Sequence, residues 1–354
     1  MTGLEEILNE SNSFWRRKGP RNDIVLSCRV RLGRNVKSLQ FPDSMGEGEM
    51  EYLFALADKF ASKEPSESRC VRINSLDLHY KRLLREKNII TSEMEGSEKS
   101  LVLVNKKRDY TLLLNDTDHF RIQIIKAGFQ IHEAFIDADA VDDELNSIVP
   151  YAFSERYGYL SSNPANIGTG LKISALMHLP VLTMQKRISE TVSPVKESGF
   201  QITGTLGNSG RIIGGLYVIS NRRQFGLTEV DLIETADDII SRIIKLEDDT
   251  RDEFFSTSKH ELEDTIWRSL GILLYARRLN YVEAVEHLSR IRLGVVMSVI
   301  KDYDIVHIND LMVKVQWSHL QEYYGIRFRS IIDSDEFRAN MVRTELKNSG
   351  ELDV

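Results

Sequence analysis

Apolar positions along this chain change rhythm near Thr228. Between residues 22 and 130 they come in short runs bounded by polar or turn-forming residues, at 24–26, 101–104, 110–114 and 120–125. Runs of that length, rich in branched side chains, predict strands. Two more follow at 201–205 and 215–220, with glycines between them. Helical spacing is interleaved at 50–61 and 140–149. From Thr228 onward the helical period takes over. Thr228-Glu229-Val230-Asp231 predicts a helix start, with a capping hydroxyl and a carboxylate three residues later. Leu232, Ile233, Ala236, Ile239, Ile240, Ile243 and Ile244 then recur at three-to-four spacing, and similar patterns cover 262–274, 282–300 and 336–346. The reading is an α+β domain over 1–246 and a helical domain over 247–354, with a helix free to run through the boundary.

Composition narrows the class without naming a function. With 354 residues, 42% hydrophobic and 28% charged, the chain has the make-up of a globular protein of about two domains. Only Cys28 and Cys70 are present, too few for a disulfide framework or a cysteine-based zinc site. The first residues show no basic-then-apolar leader, and no apolar run approaches the length of a membrane helix. The expectation is a cytoplasmic protein with no membrane partner and no protein-held metal centre. A net charge of −7 argues against nucleic-acid binding but leaves room for a local basic pocket.

Three stretches carry candidate chemistry. In Ser27-Cys28-Arg29-Val30-Arg31-Leu32-Gly33-Arg34, a strand would project residues 29 and 31 to one face, so two guanidinium groups converge on one anion. A solvated basic strand face is the plainer reading. Asn166-Ile167-Gly168-Thr169-Gly170-Leu171-Lys172 predicts a tight turn opening a short helix over 173–179, stopped by Pro180, with free N–H groups and Lys172 facing an anion. Its spacing matches neither a Walker loop nor a dinucleotide fingerprint. Asn115-Asp116-Thr117-Asp118-His119-Phe120-Arg121 places two carboxylates beside a histidine and an arginine, either as an acid/base cluster or as a locally hydrogen-bonded turn.

Taken in order, Ser-x-Arg-x-Arg-Leu-x-Arg-Asn at 27–35, Asp-His-x-Arg-Ile at 118–122, and Asn-x-Gly-Thr-Gly-Leu at 166–171 with His178-Leu179-Pro180 resemble the signature series of the ATP:guanido phosphotransferases. Gly214, Ile219-Ser220-Asn221 and Gly226 continue it, and Thr257 to Asp264 looks like the carboxy-terminal domain of the bacterial protein arginine kinases. The likeness spans nearly the whole chain. It implies an antiparallel sheet flanked by helices, a helical carboxy-terminal domain and a homodimer.

The resemblance also implies a site for ATP or ADP with Mg2+. Arg29, Arg31 and Arg121 match family phosphate-binding arginines, and Ser27 heads the same stretch. Lys172 replaces a fourth arginine, Thr203 a fifth, and Asn88 a histidine that lies against adenine, so weakened nucleotide binding is expected. The two family glutamates that orient and deprotonate the guanidinium fall at Thr117 and Asn208, the latter also on the nucleotide side. The family cysteine falls at Asn163. Neither Thr117 nor Asn208 can act as a base near neutral pH. The reading is a pseudokinase or very weak kinase with a regulatory role. The alternatives are an active kinase using Asp116 or Asp118 as base, and a phosphoarginine-binding module. For the last, Ser334-Asp335-Glu336-Phe337-Arg338-Ala339 retains Asp335 and Arg338 of a sensing motif, with Ser334 expected as a helix N-cap. Family analogy suggests a protein substrate or phosphoarginine-bearing protein, a zinc-binding activator and the Clp protease system as partners.

Overall fold

The six short apolar runs become strands, and with two further strands they form one eight-stranded sheet. The computed structural model describes residues 7, 13–205 and 211–349. In chain order the elements are β1 (Val25–Arg34), α1 (Glu47–Ala61), β2 (Ser68–Arg72), α2 (Leu78–Glu86), α3 (Ser92–Glu95), β3 (Leu101–Asn105), β4 (Tyr110–Leu114), β5 (Phe120–Ala127) and α4 (Ile131–Asn146). A small hairpin of β6 (Phe153–Ser154) and β7 (Gly158–Tyr159) precedes β8 (Leu171–His178), α5 (Pro180–Met184), α6 (Ser189–Glu197), β9 (Phe200–Gly204) and β10 (Leu216–Asn221). Helices α7 (Glu229–Tyr275), α8 (Tyr281–Val296), α9 (Ile305–Lys314), α10 (Trp317–Tyr324) and α11 (Ile331–Ser349) follow.

The sheet order is β2-β3-β4-β5-β1-β8-β10-β9, and the paired strands run antiparallel. Alternation gives its two faces different fates. From β1, Cys28, Val30 and Leu32 enter a core shared with Ile122, Ile124, Ile173 and Ala175 and closed by helices α1, α4 and α7. Leu232, Ile239, Ile240, Ile243 and Ile244 of α7 are buried there, each worth about 1.5–3 kcal/mol of apolar burial. The predicted cap holds: Thr228 Oγ1 accepts from Asp231 N at 3.1 Å, and the Asp231 carboxylate accepts from Thr228 N at 2.9 Å.

Two sequence expectations are corrected. Residues 173–178 form most of strand β8, not a helix, and Leu179 follows it. Leu171, Ile173, Ala175 and Met177 alternate into the core while β8 is paired with both β1 and β10, so the two-residue period prevails over the stop at Pro180. Lys172 is therefore a strand residue. Ser334 is not an N-cap, because α11 starts a turn earlier: Ser330 Oγ accepts from Asp333 N at 3.2 Å, while buried Ser334 donates to Ile331 O at 2.7 Å. Helix α4 also starts earlier than the 140–149 pattern suggested, at Ile131.

A second apolar cluster gathers Phe254, Leu262, Ile266 and Leu270 of α7 with α8, α9 and α11, and draws in Val181 and Ile213 from the sheet unit. Helix α7 thus feeds both cores, with one non-helical residue, Ser258 (φ −139°, ψ 38°), on the second stretch. Buried polar ties join the halves. Arg292 donates to Asp23 O (2.9 Å), Asn22 O (2.5 Å), Asn309 Oδ1 (2.8 Å) and His178 Nδ1 (2.8 Å). Burial and then Arg292 hold His178 neutral, well below its ordinary range, so this motif histidine is an acceptor in the junction. Glu86, at the end of α2, accepts from Ser318 N and His319 N at the start of α10 (3.0–3.1 Å). Glu247 likewise accepts from Val181 N (3.2 Å) and Leu182 N (3.0 Å) of α5 while pairing with Arg251. No helix among the described residues is long and apolar enough to cross a membrane.

Candidate active site

The second face of the sheet collects cations at one end. Ser27, Arg29 and Arg31 project from alternate positions of β1 onto this face. Register then brings in the neighbours: Arg31 lies opposite Gln123 on β5 and Lys172 on β8, and Gly33 lies opposite Arg121. Arg29, Arg31, Arg121 and Lys172 therefore converge from three adjacent strands. At the other end of this face Trp15, Ile125, Ala127 and Leu176 form a small apolar cluster.

Like charges this close need a counter-ion. Burial, then Arg29 and Arg121, pull the Arg31 guanidinium far below its usual range, and burial with Arg121 lowers Arg29 to about 10. Arg31 Nε is buried with no hydrogen-bond partner among the described residues, an orphaned donor at the floor of the cleft. Arg29 Nε reaches only Ser174 Oγ at 3.3 Å. The cleft, a cavity of ≈ 220 Å³, is walled by Arg31, Arg121, Lys172, Arg222, Asp118, Asn163, Asn166 and Gln224. Its donor set fits the oxygens of a phosphate chain, with three guanidinium groups and an ammonium.

Two glycines shape it. A Cβ on Gly33 would stand 2.8 Å from Asp118 Oδ2, and one on Gly170, where φ is +66°, would stand 2.6 Å from Gly33 O. The Gly-x-Gly stretch thus lets two backbones close over the cleft (Gly33 N to Gly170 O, 2.9 Å) and does not present a helix N-terminus.

Both candidate bases are already engaged. The buried Asp116 side chain accepts from Thr91 Oγ1 through Oδ1 at 3.1 Å, while Oδ2 lies in an ion pair with Arg121 and has no hydrogen-bond partner among the described residues. Asp118 accepts from Ser161 Oγ (2.5 Å), Asn35 Nδ2 (2.8 Å) and Asn166 Nδ2 (3.2 Å). Thr117 sits between them, its hydroxyl buried without a partner among the described residues. Asn163 lies exposed on the rim, its Oδ1 accepting from Ala165 N at 3.0 Å. Asn88 occupies the turn after α2 in a left-handed conformation, and its carbonyl accepts from Gln123 Nε2 at 2.8 Å, at the β5 side of the cations. Thr203 lies farther off on β9, opposite Val218, in the row of Ser27. Asn208 falls outside the described residues. Asp335 and Arg338 are remote from the cleft: buried Arg338 donates to Val315 O (2.8 Å), Leu279 O (2.8 Å) and Asp335 Oδ1 (2.7 Å), tying α11 to its neighbours.

Arg222 and Gln224 were missed by the sequence reading. The run Asn221-Arg222-Arg223-Gln224 after a strand was the available signal. Glu93, on α3, also acts electrostatically on Arg31 and Arg121 and had no sequence signal.

Lys172 makes the cleft sensitive to pH. Burial, then Arg31, Arg29, Arg222 and Arg121, lower its ammonium to about 8, and its Nζ contacts Asn221 O. Below that pH the charge is present; as pH rises through about 8 it is lost. Affinity of the cleft for inorganic phosphate is therefore expected to fall by about tenfold between pH 7 and pH 9, with proton uptake on binding at the alkaline end. Calorimetry in buffers of different ionisation enthalpy measures both. Lys172→Arg should flatten the dependence, and an equal slope in that variant would assign it elsewhere.

An antiparallel sheet that crowds cations at one end of one face suits the handling of phosphate groups, and similarity to known proteins gives the family. Residues 50–250 match the family model for the ATP:guanido phosphotransferase C-terminal catalytic domain, and 259–353 match that for the protein-arginine kinase McsB C-terminal domain. The protein-arginine kinase of Bacillus subtilis (strain 168) is 34% identical over 348 residues, covering 97% of this chain and 96% of that protein. That of Bacillus cereus (strain AH187) is 36% identical over 349 residues, covering 97% and 98%. The chain belongs to the ATP:guanido phosphotransferase family, in its protein-arginine kinase branch. Among solved structures, a lombricine kinase superposes with a TM-score of 0.57 at 19% identity, over 66% of this chain and 68% of that one. The duplicated taurocyamine kinase from Schistosoma mansoni gives 0.59 at 20%, over 73% and 39%. These two show a shared fold.

Proposed function

We propose that this chain is a protein-arginine-kinase-like protein that binds Mg-ATP or Mg-ADP and transfers phosphate very poorly, serving a regulatory role. One observation carries the reading: the cations for a phosphate chain converge, while the carboxylates beside them are spent on internal partners. Arg29, Arg31, Arg121 and Lys172 would hold the phosphate oxygens, with Asn88 on the adenine side. A bound magnesium ion would neutralise charge between the phosphates. A substrate guanidinium is cationic at neutral pH, so transfer to it needs fixed negative charge and a proton acceptor. Asp116 is turned onto Arg121, and Asp118 already accepts from three donors. Either, acting as a relocated base, would first have to exchange those partners.

A phosphoarginine-reading role for Asp335 and Arg338 meets a similar demand. Arg338 would have to release two carbonyl acceptors before gripping a phosphoryl group.

The test pairs ADP binding by calorimetry with transfer from radiolabelled ATP to a protein substrate. Binding without appreciable turnover is expected. Arg29→Ala with Arg121→Ala should weaken ADP by at least about 1.5–3 kcal/mol, roughly ten- to hundredfold. Affinity unchanged by that pair would move the phosphate site elsewhere. Rapid arginine phosphorylation by the unmodified chain would make it an ordinary kinase.

A further inference from the structure

Of the four cations that converge on the cleft, Arg121 is the one with a carboxylate partner among the described residues, and that partner is Asp116. The Asp116 side chain is fully enclosed, while Arg121 keeps 13% of its side-chain surface. Beyond burial, the charge of Arg121 helps to lower both Arg29 and Arg31, so the three guanidinium groups repel one another. Repulsion of that kind turns a long side chain away unless a fixed negative charge holds it. Asp116 holds Arg121 only as firmly as it is itself held. Its Oδ2 lies in the ion pair, and its Oδ1 accepts from Thr91 Oγ1 at 3.1 Å. The same Thr91 oxygen accepts from Met94 N at 3.2 Å and so caps α3. A hydroxyl has one proton and two lone pairs, so it makes both bonds at once. The segment that carries Thr91 is tied to the sheet in turn, since Asn88 O accepts from Gln123 Nε2 and Gln123 lies opposite Arg31.

We infer that Thr91 is a positioning residue for phosphate binding, acting through Asp116 to aim the Arg121 guanidinium into the cleft against the repulsion of Arg29 and Arg31. The inference rests on the phosphate-site reading above and adds a group outside the cleft on which that site depends. Thr91 is not on the cleft wall and touches no ligand. Its hydroxyl fixes the carboxylate and the carboxylate fixes the guanidinium. A guanidinium already in place then loses less freedom when a phosphate arrives. Glu93 offers a competing route. Its charge also acts on Arg31 and Arg121, and the cap that Thr91 provides sets where the helix carrying Glu93 begins. The two routes differ in one respect, because only the first passes through Arg121 alone.

Calorimetric titration of the full chain with ADP tests this, using Thr91→Val, Thr91→Ser, Arg121→Met and the double variant Thr91→Val with Arg121→Met. Thr91→Val, close in volume but without the hydroxyl, should weaken ADP by about fivefold or more. Thr91→Ser keeps both bonds and should stay within about twofold of the unmodified chain. In the Arg121→Met background, Thr91→Val should cost less than about twofold, because the group it acts through is gone. An equal cost in both backgrounds would overturn the inference and leave Thr91 as the cap of α3 alone. Unchanged affinity in Thr91→Val would overturn it too. Thr91→Gly is the second variant, since glycine is well tolerated at an N-cap yet offers Asp116 no proton. It should lose affinity as Thr91→Val does, and full affinity in Thr91→Gly would again assign Thr91 to the cap. ADP binding as tight in Arg121→Met as in the unmodified chain would overturn the phosphate-site reading itself, a result distinct from an Arg121 that matters and a Thr91 that does not. Melting curves matching those of the unmodified chain establish that each variant is folded.

Discussion

Thr117→Glu combined with Asn208→Glu is expected to raise phosphotransfer to arginine by at least about a hundredfold over the unmodified chain, and either change alone by little. A positioned base typically contributes 10²–10⁴-fold, and a cationic guanidinium must also be oriented by negative charge before it can attack. Both requirements fall on the same pair of side chains, so the single restorations should be far from additive. The local geometry commits Asp116 to other partners. The turn closes through Asn115 N to His119 O (3.0 Å) and Asp116 N to Asp118 O (3.2 Å), and Asp116 points its carboxylate into Arg121 and Thr91. A carboxylate at 117 would add charge where the threonine hydroxyl has no partner among the described residues. Transfer of label from ATP to a protein substrate reads the outcome. If the unmodified chain phosphorylates arginine well and Asp116→Asn abolishes this, Asp116 is the base and the reading falls.

Arg34→Met is expected to cost about 3–5 kcal/mol of stability, the scale for stranding one partner of a buried ion pair. Arg34 and Asp142 are almost fully enclosed, with side-chain exposures of 1% and 8%. The guanidinium donates to Asp142 (2.6–3.1 Å), to Gly33 O and Thr169 O (3.0 Å each), and lies 3.5 Å over the Tyr159 ring. Tyr151 donates to the same carboxylate at 2.8 Å. One side chain therefore secures β1, α4, the small hairpin and the segment leading into β8. Urea unfolding of Arg34→Met gives the loss, and replacing both Arg34 and Asp142 by apolar residues should recover part of it. A shift below about 1 kcal/mol would mean that the segment is held by its backbone contacts alone.

Much of the sheet was readable from local pattern because β3, β4 and β5 are apolar runs of strand length with turn residues at each end. That Arg29 and Arg31 share a face was readable from strand alternation, and Arg121 was located by the ordered motifs alone. Strand β8 was not. Its run Leu-Lys-Ile-Ser-Ala-Leu-Met-His fits either period, and the decision lies with β1 and β10, which are distant in sequence. Ser334 misled for a related reason, since an earlier serine takes the cap and burial claims the later one. Gln224 stayed hidden because nothing local distinguishes a glutamine that faces a cleft from one that faces water. The spent state of Asp116 and Asp118 was equally out of reach, as it depends on Thr91, Asn35 and Ser161.

The capping of α5 by Glu247 bears on how this molecule can be dissected. The division read from sequence ends its first part at residue 246, one position short of the carboxylate that satisfies the backbone of Val181 and Leu182. A fragment stopped there would expose Val181 and Ile213, which are covered from the other side of the cut, and would leave two amides facing the severed end. The inheritance of the two halves is therefore linked. Shuffling either one between relatives means carrying the shared stretch of α7 with it, so the natural unit of exchange is larger than the boundary drawn from pattern.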